Sequence, residues 1–260
     1  MKVGVFDSGI GGLTILSAIA KSVENTEYVY IADTLFAPYG EKDTNEILQR
    51  CDNITNYLIK NYNIDILVVA CNTATSISIK FLREKYRNLP IIGVEPALKP
   101  AILTSRTKNI AVLATPTTIN GRKYKELVEK LSTNQELNLY HIPCSGLAKK
   151  IEEADIETNS LQEFLKKYLK DLKNKNIDSV VLGCTHYPII KDEIKNFFDD
   201  NVILYESANA IAKRLQDLSE NKNSINKEQK ITILYSGKIS FDMVNTVLKN
   251  INFEIGKCEI

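Results

Sequence analysis

The sequence predicts an α/β protein built from two similar parallel-sheet domains related by a pseudo-two-fold axis, with an active site between them. Three observations predict it. Short apolar runs alternate with stretches of helical periodicity along the 260 residues, and near-continuous apolar runs are the mark of strands covered on both faces of a parallel sheet. The plan is used twice: Ile64-Asp65-Ile66-Leu67-Val68-Val69-Ala70-Cys71-Asn72-Thr73 matches Ile177-Asp178-Ser179-Val180-Val181-Leu182-Gly183-Cys184-Thr185-His186 at an offset of 113, each apolar run ending in a thiol. The residues that carry chemistry follow strand ends, where open α/β sheets bind their ligands.

Taken in order, the strand Lys2–Phe6 leads into Asp7-Ser8-Gly9-Ile10-Gly11-Gly12, whose glycines let backbone N–H groups approach an anion at a helix start. The strand Tyr28–Ala32 leads into Asp33-Thr34 and then Pro38-Tyr39-Gly40. After Asp43, Ile47, Cys51, Ile54, Leu58 and Tyr62 recur at three- and four-residue steps and give one apolar helix face. Ile66–Ala70 ends at Cys71-Asn72-Thr73, and Ile91–Val94 at Glu95-Pro96-Ala97. The second half repeats the scheme. Ile110–Ala114 leads into Thr115-Pro116-Thr117-Thr118, Leu137–Ile142 into Pro143-Cys144-Ser145-Gly146, Ser179–Gly183 into Cys184-Thr185-His186-Tyr187-Pro188, and Val202–Tyr205 into Glu206-Ser207-Ala208. Val3–Ser8 aligns with Ile110–Thr115 at an offset of 107, and Ile91–Ala97 with Val202–Ala208 at 111, so three matched strand ends support one duplicated unit. The last strand and helix, Ile231 to Asn250, have no counterpart in the second half. They are expected to return to the first domain, giving a discontinuous domain of residues 1–97 plus 209–260 and a second domain of residues 98–208.

Composition narrows the function. Hydrophobic content of 44% and charged content of 25% are ordinary for a globular protein. A net charge of +1 with interspersed signs gives no footprint for nucleic acid or a membrane surface, so a small molecule is the expected partner. No apolar stretch approaches the roughly 20 residues of a membrane span, and Met1-Lys2 leads directly into a strand without a targeting segment. Five irregularly spaced cysteines read as reduced thiols of a cytoplasmic protein. Without a CxxC pair and with two histidines, no metal site is expected. The glycine loop lacks the third glycine of a dinucleotide fingerprint, with Thr14 in its place.

The cleft is thus expected to be rich in hydroxyls, amides and N–H donors with few fixed positive charges, which suits a carboxylate or zwitterion. A single cysteine at a strand end is ordinarily packing, but a repeated one points to chemistry. Cys51 lies on the apolar stripe of its helix and Cys258 close to the last residue, so neither is assigned a reaction; Cys144 either packs or lines the cleft. His141, within a strand, reads as structural, whereas His186, two residues beyond a thiol, reads as acid–base support. Asp7 and Ser8 have an alternative reading as helix caps, and Tyr39 as a residue packed in a turn.

Phe6-Asp7-Ser8-Gly9-Ile10-Gly11-Gly12, Ala32-Asp33-Thr34 with Pro38-Tyr39-Gly40, Ala70-Cys71-Asn72-Thr73-Ala74, Gly93-Val94-Glu95-Pro96-Ala97 and Leu182-Gly183-Cys184-Thr185-His186-Tyr187-Pro188 occur in this order. In these motifs, spread over nearly the whole chain, the sequence resembles the glutamate racemases of the cofactor-independent aspartate/glutamate racemase family, which supply D-glutamate for peptidoglycan and cell-wall synthesis. The resemblance implies an isomerase without a cofactor, in which Cys71 takes the α-proton of D-glutamate and Cys184 that of L-glutamate. It implies Asp7 as the helper of Cys71, His186 as the helper of Cys184, and Glu152 as the group that orients His186. Glu152 reads equally well as a solvent-facing charge beside Glu153. The substrate contacts it implies are Asp7, Ser8, Pro38, Tyr39, Gly40, Asn72, Thr73, Thr118, Thr185 and His186. Homodimers are common among such proteins, although no stretch of this sequence announces an interface. Aspartate racemisation, a non-catalytic small-molecule binding protein and a thiol redox protein are the competing readings.

Overall fold

The computed structural model describes residues 1–133, 136–153, 159–198, 201–220 and 228–260. In chain order the described elements are β1 (Lys2–Asp7), α1 (Leu13–Ser22), β2 (Glu27–Ala32), α2 (Thr44–Tyr62), β3 (Ile66–Val69), α3 (Asn72–Lys85), β4 (Ile91–Gly93), α4 (Leu98–Thr104), β5 (Asn109–Ala114), α5 (Pro116–Asn120) and α6 (Arg122–Ser132). They continue with β6 (Asn138–Pro143), α7 (Leu147–Glu152), α8 (Asn159–Leu169), β7 (Ser179–Gly183), α9 (Lys191–Phe197), β8 (Ile203–Tyr205), α10 (Ala208–Ser219), β9 (Lys230–Tyr235), α11 (Phe241–Val247) and β10 (Glu254–Lys257).

The strands form two sheets, ordered β10-β9-β2-β1-β3-β4 and β6-β5-β7-β8, and every pairing is parallel. The fold is therefore two parallel-sheet α/β units. The order β2-β1-β3-β4 in one sheet is the order β6-β5-β7-β8 in the other. Register carries the repeat further: Val3 pairs with Ile66 as Ile110 pairs with Ser179, the positions related by the offsets 107 and 113. At the third strand the register corrects the sequence alignment. Leu67 pairs with Ile91 and Val180 with Leu204, so β4 corresponds to β8 at an offset of 113 rather than 111. A two-residue slip preserves which face each side chain occupies, so the apolar pattern could not reveal it.

Alternation along β1 divides the first core. Val3 and Val5 pack with α1, α10 and α11 on one face of the sheet, while Phe6 packs with Ile47, Cys51, Ile54 and Leu58 of α2 and with α3 on the other. The predicted stripe of α2 is thus its buried face. Asp43 caps the helix by accepting from the Asn45 N–H at 2.8 Å, and Asn63 ends it in the left-handed region. The second sheet is covered by α7, α8 and α9 on one face and by α4 and α6 on the other. β9 and β10 both extend the first sheet. β10 has no counterpart among the predicted strands.

The duplicated Ile-Asp preceding β3 and β7 has a structural task. Asp65 Oδ2 accepts from the Lys2 N–H at 2.7 Å, at the start of β1. Asp178 Oδ2 accepts from the Arg106 and Thr107 N–H groups at 2.7 and 2.9 Å, just before β5. In each sheet this carboxylate ties down the chain entering the neighbouring strand, which fixes the register that aligns the strand ends at the site.

Candidate active site

Cys71 and Cys184 leave the equivalent strands β3 and β7 and line one cavity of about 30 Å³, bounded also by Ser8, Pro38, Tyr39, Gly40, Asn72, Thr73, Thr115, Cys144, Thr185 and His186. The two thiols are 6% and 7% exposed, so both lie where the dielectric is low and proton positions are set by immediate neighbours. A wider cleft of about 400 Å³ adjoins the cavity and shares Ser8, Pro38, Ala148, Lys149 and His186 with it.

On the Cys184 side, Sγ lies 3.8 Å from His186 Nδ1, and His186 Nε2 lies 2.6 Å from Glu152 Oε2. Glu152 is thus drawn inward to the imidazole and is not the solvent-facing charge of the alternative reading. Burial alone would lower the His186 pKa, but the Cys184 sulfur and the Glu152 carboxylate outweigh it and hold His186 well above its ordinary value. The arrangement favours an imidazolium beside Cys184. The same carboxylate accepts from the Ile10 N–H at 3.1 and 3.0 Å. The glycine loop does receive an anion, and that anion is internal. A Cβ on Gly9 would collide with the Glu152 carboxylate, and one on Gly11 would lie 2.5 Å from His186 Nδ1; these glycines leave room for the His186–Glu152 pair.

On the Cys71 side, the thiol caps α3, accepting from the Ala74 N–H at 3.4 Å, and donates toward Ser8 Oγ at 3.8 Å. Burial pushes its pKa up strongly and the Asp7 charge adds to this, with the Ala74 N–H and Ser8 opposing. Asp7 is fully buried, and desolvation raises its pKa against the lowering influence of His186, Gly9 and Thr185. Its direct partners are the Gly9 N–H at 2.9 Å and the Thr185 hydroxyl at 2.9 Å. Asp7 therefore bridges the two halves behind the thiols and acts on Cys71 through space.

The remaining predicted contacts divide. Asn72 is 5% exposed, and its Nδ2 has no hydrogen-bond partner among the described residues. A buried unpaired amide at a cavity wall is a donor waiting for an acceptor. Thr73 Oγ1 lies 3.0 Å from Thr115 Oγ1, which in turn donates to Thr118 Oγ1 at 3.0 Å. Thr115, not Thr118, faces the cavity. Pro38 and Gly40 line it, but the Tyr39 hydroxyl turns away and donates to Asp33 Oδ2 at 2.6 Å. Asp33, expected near the cleft lining, is instead buried in an ion pair with Arg50 at 2.7 Å. Cys144 lines the cavity, whereas His141, on β6, stacks edge-on against Tyr124 of α6. Sequence reasoning missed Lys149, a cation on both the cavity and the adjoining cleft; within Lys149-Lys150 it carries no signal that separates it from a solvated helix face.

Residues 5–215 match the family described as Asp/Glu/Hydantoin racemase. The chain belongs to this racemase family. Within it, the chain is 51% identical to the glutamate racemase of Aliarcobacter butzleri (strain RM4018) over 261 aligned positions, covering 100% of both chains. Among solved structures, the glutamate racemase isoform RacE1 of Bacillus anthracis superposes with a TM-score of 0.85 at 28% identity, covering 99% of this chain and 97% of that one. The Escherichia coli glutamate racemase, solved in complex with L-glutamate and the activator UDP-MurNAc-Ala, gives a TM-score of 0.85 at 29% identity, with 98% and 97% covered. Racemase chemistry needs a proton removed from one face of a carbon and returned to the other; this cavity carries a thiol at each of two equivalent strand ends. Among the described residues no helix is long and apolar enough to cross a membrane.

Proposed function

We propose that this protein is a glutamate racemase that interconverts L- and D-glutamate by proton transfer between Cys71 and Cys184, supplying D-glutamate for peptidoglycan in the cytoplasm. The observation that carries the reading is the pair of buried thiols at equivalent strand ends on one cavity, each with its own acid–base neighbour. From L-glutamate, Cys184 as thiolate removes the α-proton while the Cys71 thiol delivers one to the opposite face. The product state has the thiol at Cys184 and the thiolate at Cys71, which is the starting state for D-glutamate. His186 stabilises the Cys184 thiolate as imidazolium and Glu152 holds it in place; Asp7 biases Cys71 toward its protonated form. Charge develops at the α-carbon and its carboxylate during transfer, and Asn72 Nδ2 and the Ser8 hydroxyl are the donors that meet it, the Thr185 hydroxyl being committed to Asp7 and that of Thr73 to Thr115.

The adjoining cleft of about 400 Å³ leads to the cavity through Ser8, Pro38, Lys149 and His186, and burial of both thiols keeps bulk water from the reacting atoms.

The test is circular dichroism of the purified protein with L- or D-glutamate and, separately, with either enantiomer of aspartate. Racemisation of glutamate from both sides supports the reading. Turnover confined to aspartate replaces the substrate, and an inert protein rejects the activity.

A further inference from the structure

The cavity wall Pro38–Gly40 hangs on a buried polar cluster outside the reacting groups. Asp33, at the end of β2, is 0% exposed and accepts four hydrogen bonds: from Arg50 Nε at 2.8 Å, Arg50 Nη2 at 2.7 Å, the Tyr39 hydroxyl at 2.6 Å and the Ser236 hydroxyl at 2.8 Å. Arg50 spans both carboxylate oxygens in a fork and donates its Nη1 to the Ile260 carbonyl. The turn itself is held at two points. Tyr39 ties it to Asp33, and the Gly40 carbonyl accepts from Thr117 Oγ1 of α5 at 3.1 Å. Tyr39 is 1% exposed and Arg50 6%, so neither relaxes into water if a partner is lost.

We infer that Arg50 is a positioning residue for the reaction: through Asp33 and the Tyr39 hydroxyl it fixes the Pro38–Gly40 wall against which the substrate seats. Arg50 is not among the residues that line the cavity, whereas Tyr39 lines it while its hydroxyl is committed to Asp33. A cluster that merely stabilised the fold would have no reason to end on the cavity wall. This one joins the ends of β2 and β9 and a helix to that turn. The inference rests on the glutamate racemase reading and predicts where binding, rather than proton transfer, is lost.

Arg50→Met would leave Asp33 buried without its counter-charge, so the test uses Arg50→Lys, which keeps the charge but loses the fork, and Tyr39→Phe, which removes one oxygen. Expected are a KM for glutamate raised about tenfold in Arg50→Lys and about fivefold in Tyr39→Phe, with kcat within about twofold and the titre of reactive thiols unchanged. Because Arg50 acts through Tyr39, the double variant should show a KM no higher than Arg50→Lys alone. Unchanged KM in both single variants, or effects that multiply in the double variant, would overturn the inference. An inert wild-type protein removes the racemase reading instead, and is distinguished from both by the wild-type assay.

Discussion

His186 Nε2 and Glu152 Oε2 lie 2.6 Å apart, and the carboxylate that receives the imidazole also receives the Ile10 N–H of the glycine loop. One side chain of the second half thus binds the first half and holds the His186 pKa up. Glu152→Gln removes the negative charge that helps to raise the His186 pKa. The imidazolium then loses its proton at lower pH, so the alkaline limb of kcat/KM from L-glutamate shifts downward, with a loss of about 100-fold in that direction. Steady-state pH profiles from both enantiomers check this; an unshifted limb would separate Glu152 from His186.

Stability carries the same signature. Because the native His186 pKa lies well above the ordinary 6.5, the native protein holds that proton more tightly than the unfolded chain does. The stabilisation is complete below about pH 6.5 and drains away as pH rises through the native value. The melting-temperature gap between the wild type and His186→Asn should be widest in mild acid and narrow under alkaline conditions, as thermal denaturation followed by circular dichroism can show.

Gly11→Ala places a methyl 2.5 Å from His186 Nδ1. The imidazole is displaced from Cys184, so racemisation should fall at least about 100-fold while far-ultraviolet circular dichroism stays native. Near-normal turnover would mean that the loop yields without disturbing the ring.

Asp178 is a carboxylate of the other kind. Four donors, from the Thr107 and Arg106 backbone and the Ser105 and Ser179 hydroxyls, outweigh burial and pull its pKa down from 3.8 to about 2. Its contribution is present above pH 3.8 and is lost as pH falls toward about 2. Asp178→Asn should therefore destabilise the protein at neutral pH and progressively less in strong acid; urea midpoints at several pH values measure it.

Lys149 reaches the cavity and its vestibule as a cation with no ion pair among the described residues. For an anionic substrate, Lys149→Ala should raise KM about threefold at low ionic strength without lowering kcat, and the difference should vanish in high salt. A salt-independent effect would assign Lys149 to packing.

The strand pattern was legible because buried parallel strands cannot hide their apolar runs. The thiols were legible because duplication set them against each other. β10 escaped because Glu254-Ile255-Gly256-Lys257 is a short, half-exposed edge strand with a glycine, and its partner β9 lies outside the repeat. Tyr39 shows a different limit: its place on the wall followed from the motif, but the direction of its hydroxyl depended on Asp33 and Arg50, whose pairing joins a strand end to a helix. Glu152 was undecided beside Glu153 because only the packing of α7 against the glycine loop distinguishes the two.

The division of the two faces between Cys71 and Cys184 is tested most directly by incubating the protein with L-glutamate in D₂O and measuring deuterium in both enantiomers during the first few per cent of conversion. If one thiol removes the proton and the other delivers a solvent-derived one, the D-glutamate formed carries deuterium at Cα while the remaining L-glutamate keeps its protium. Deuterium appearing in recovered L-glutamate as fast as in product, or protium retained in the product, would contradict the two-thiol account.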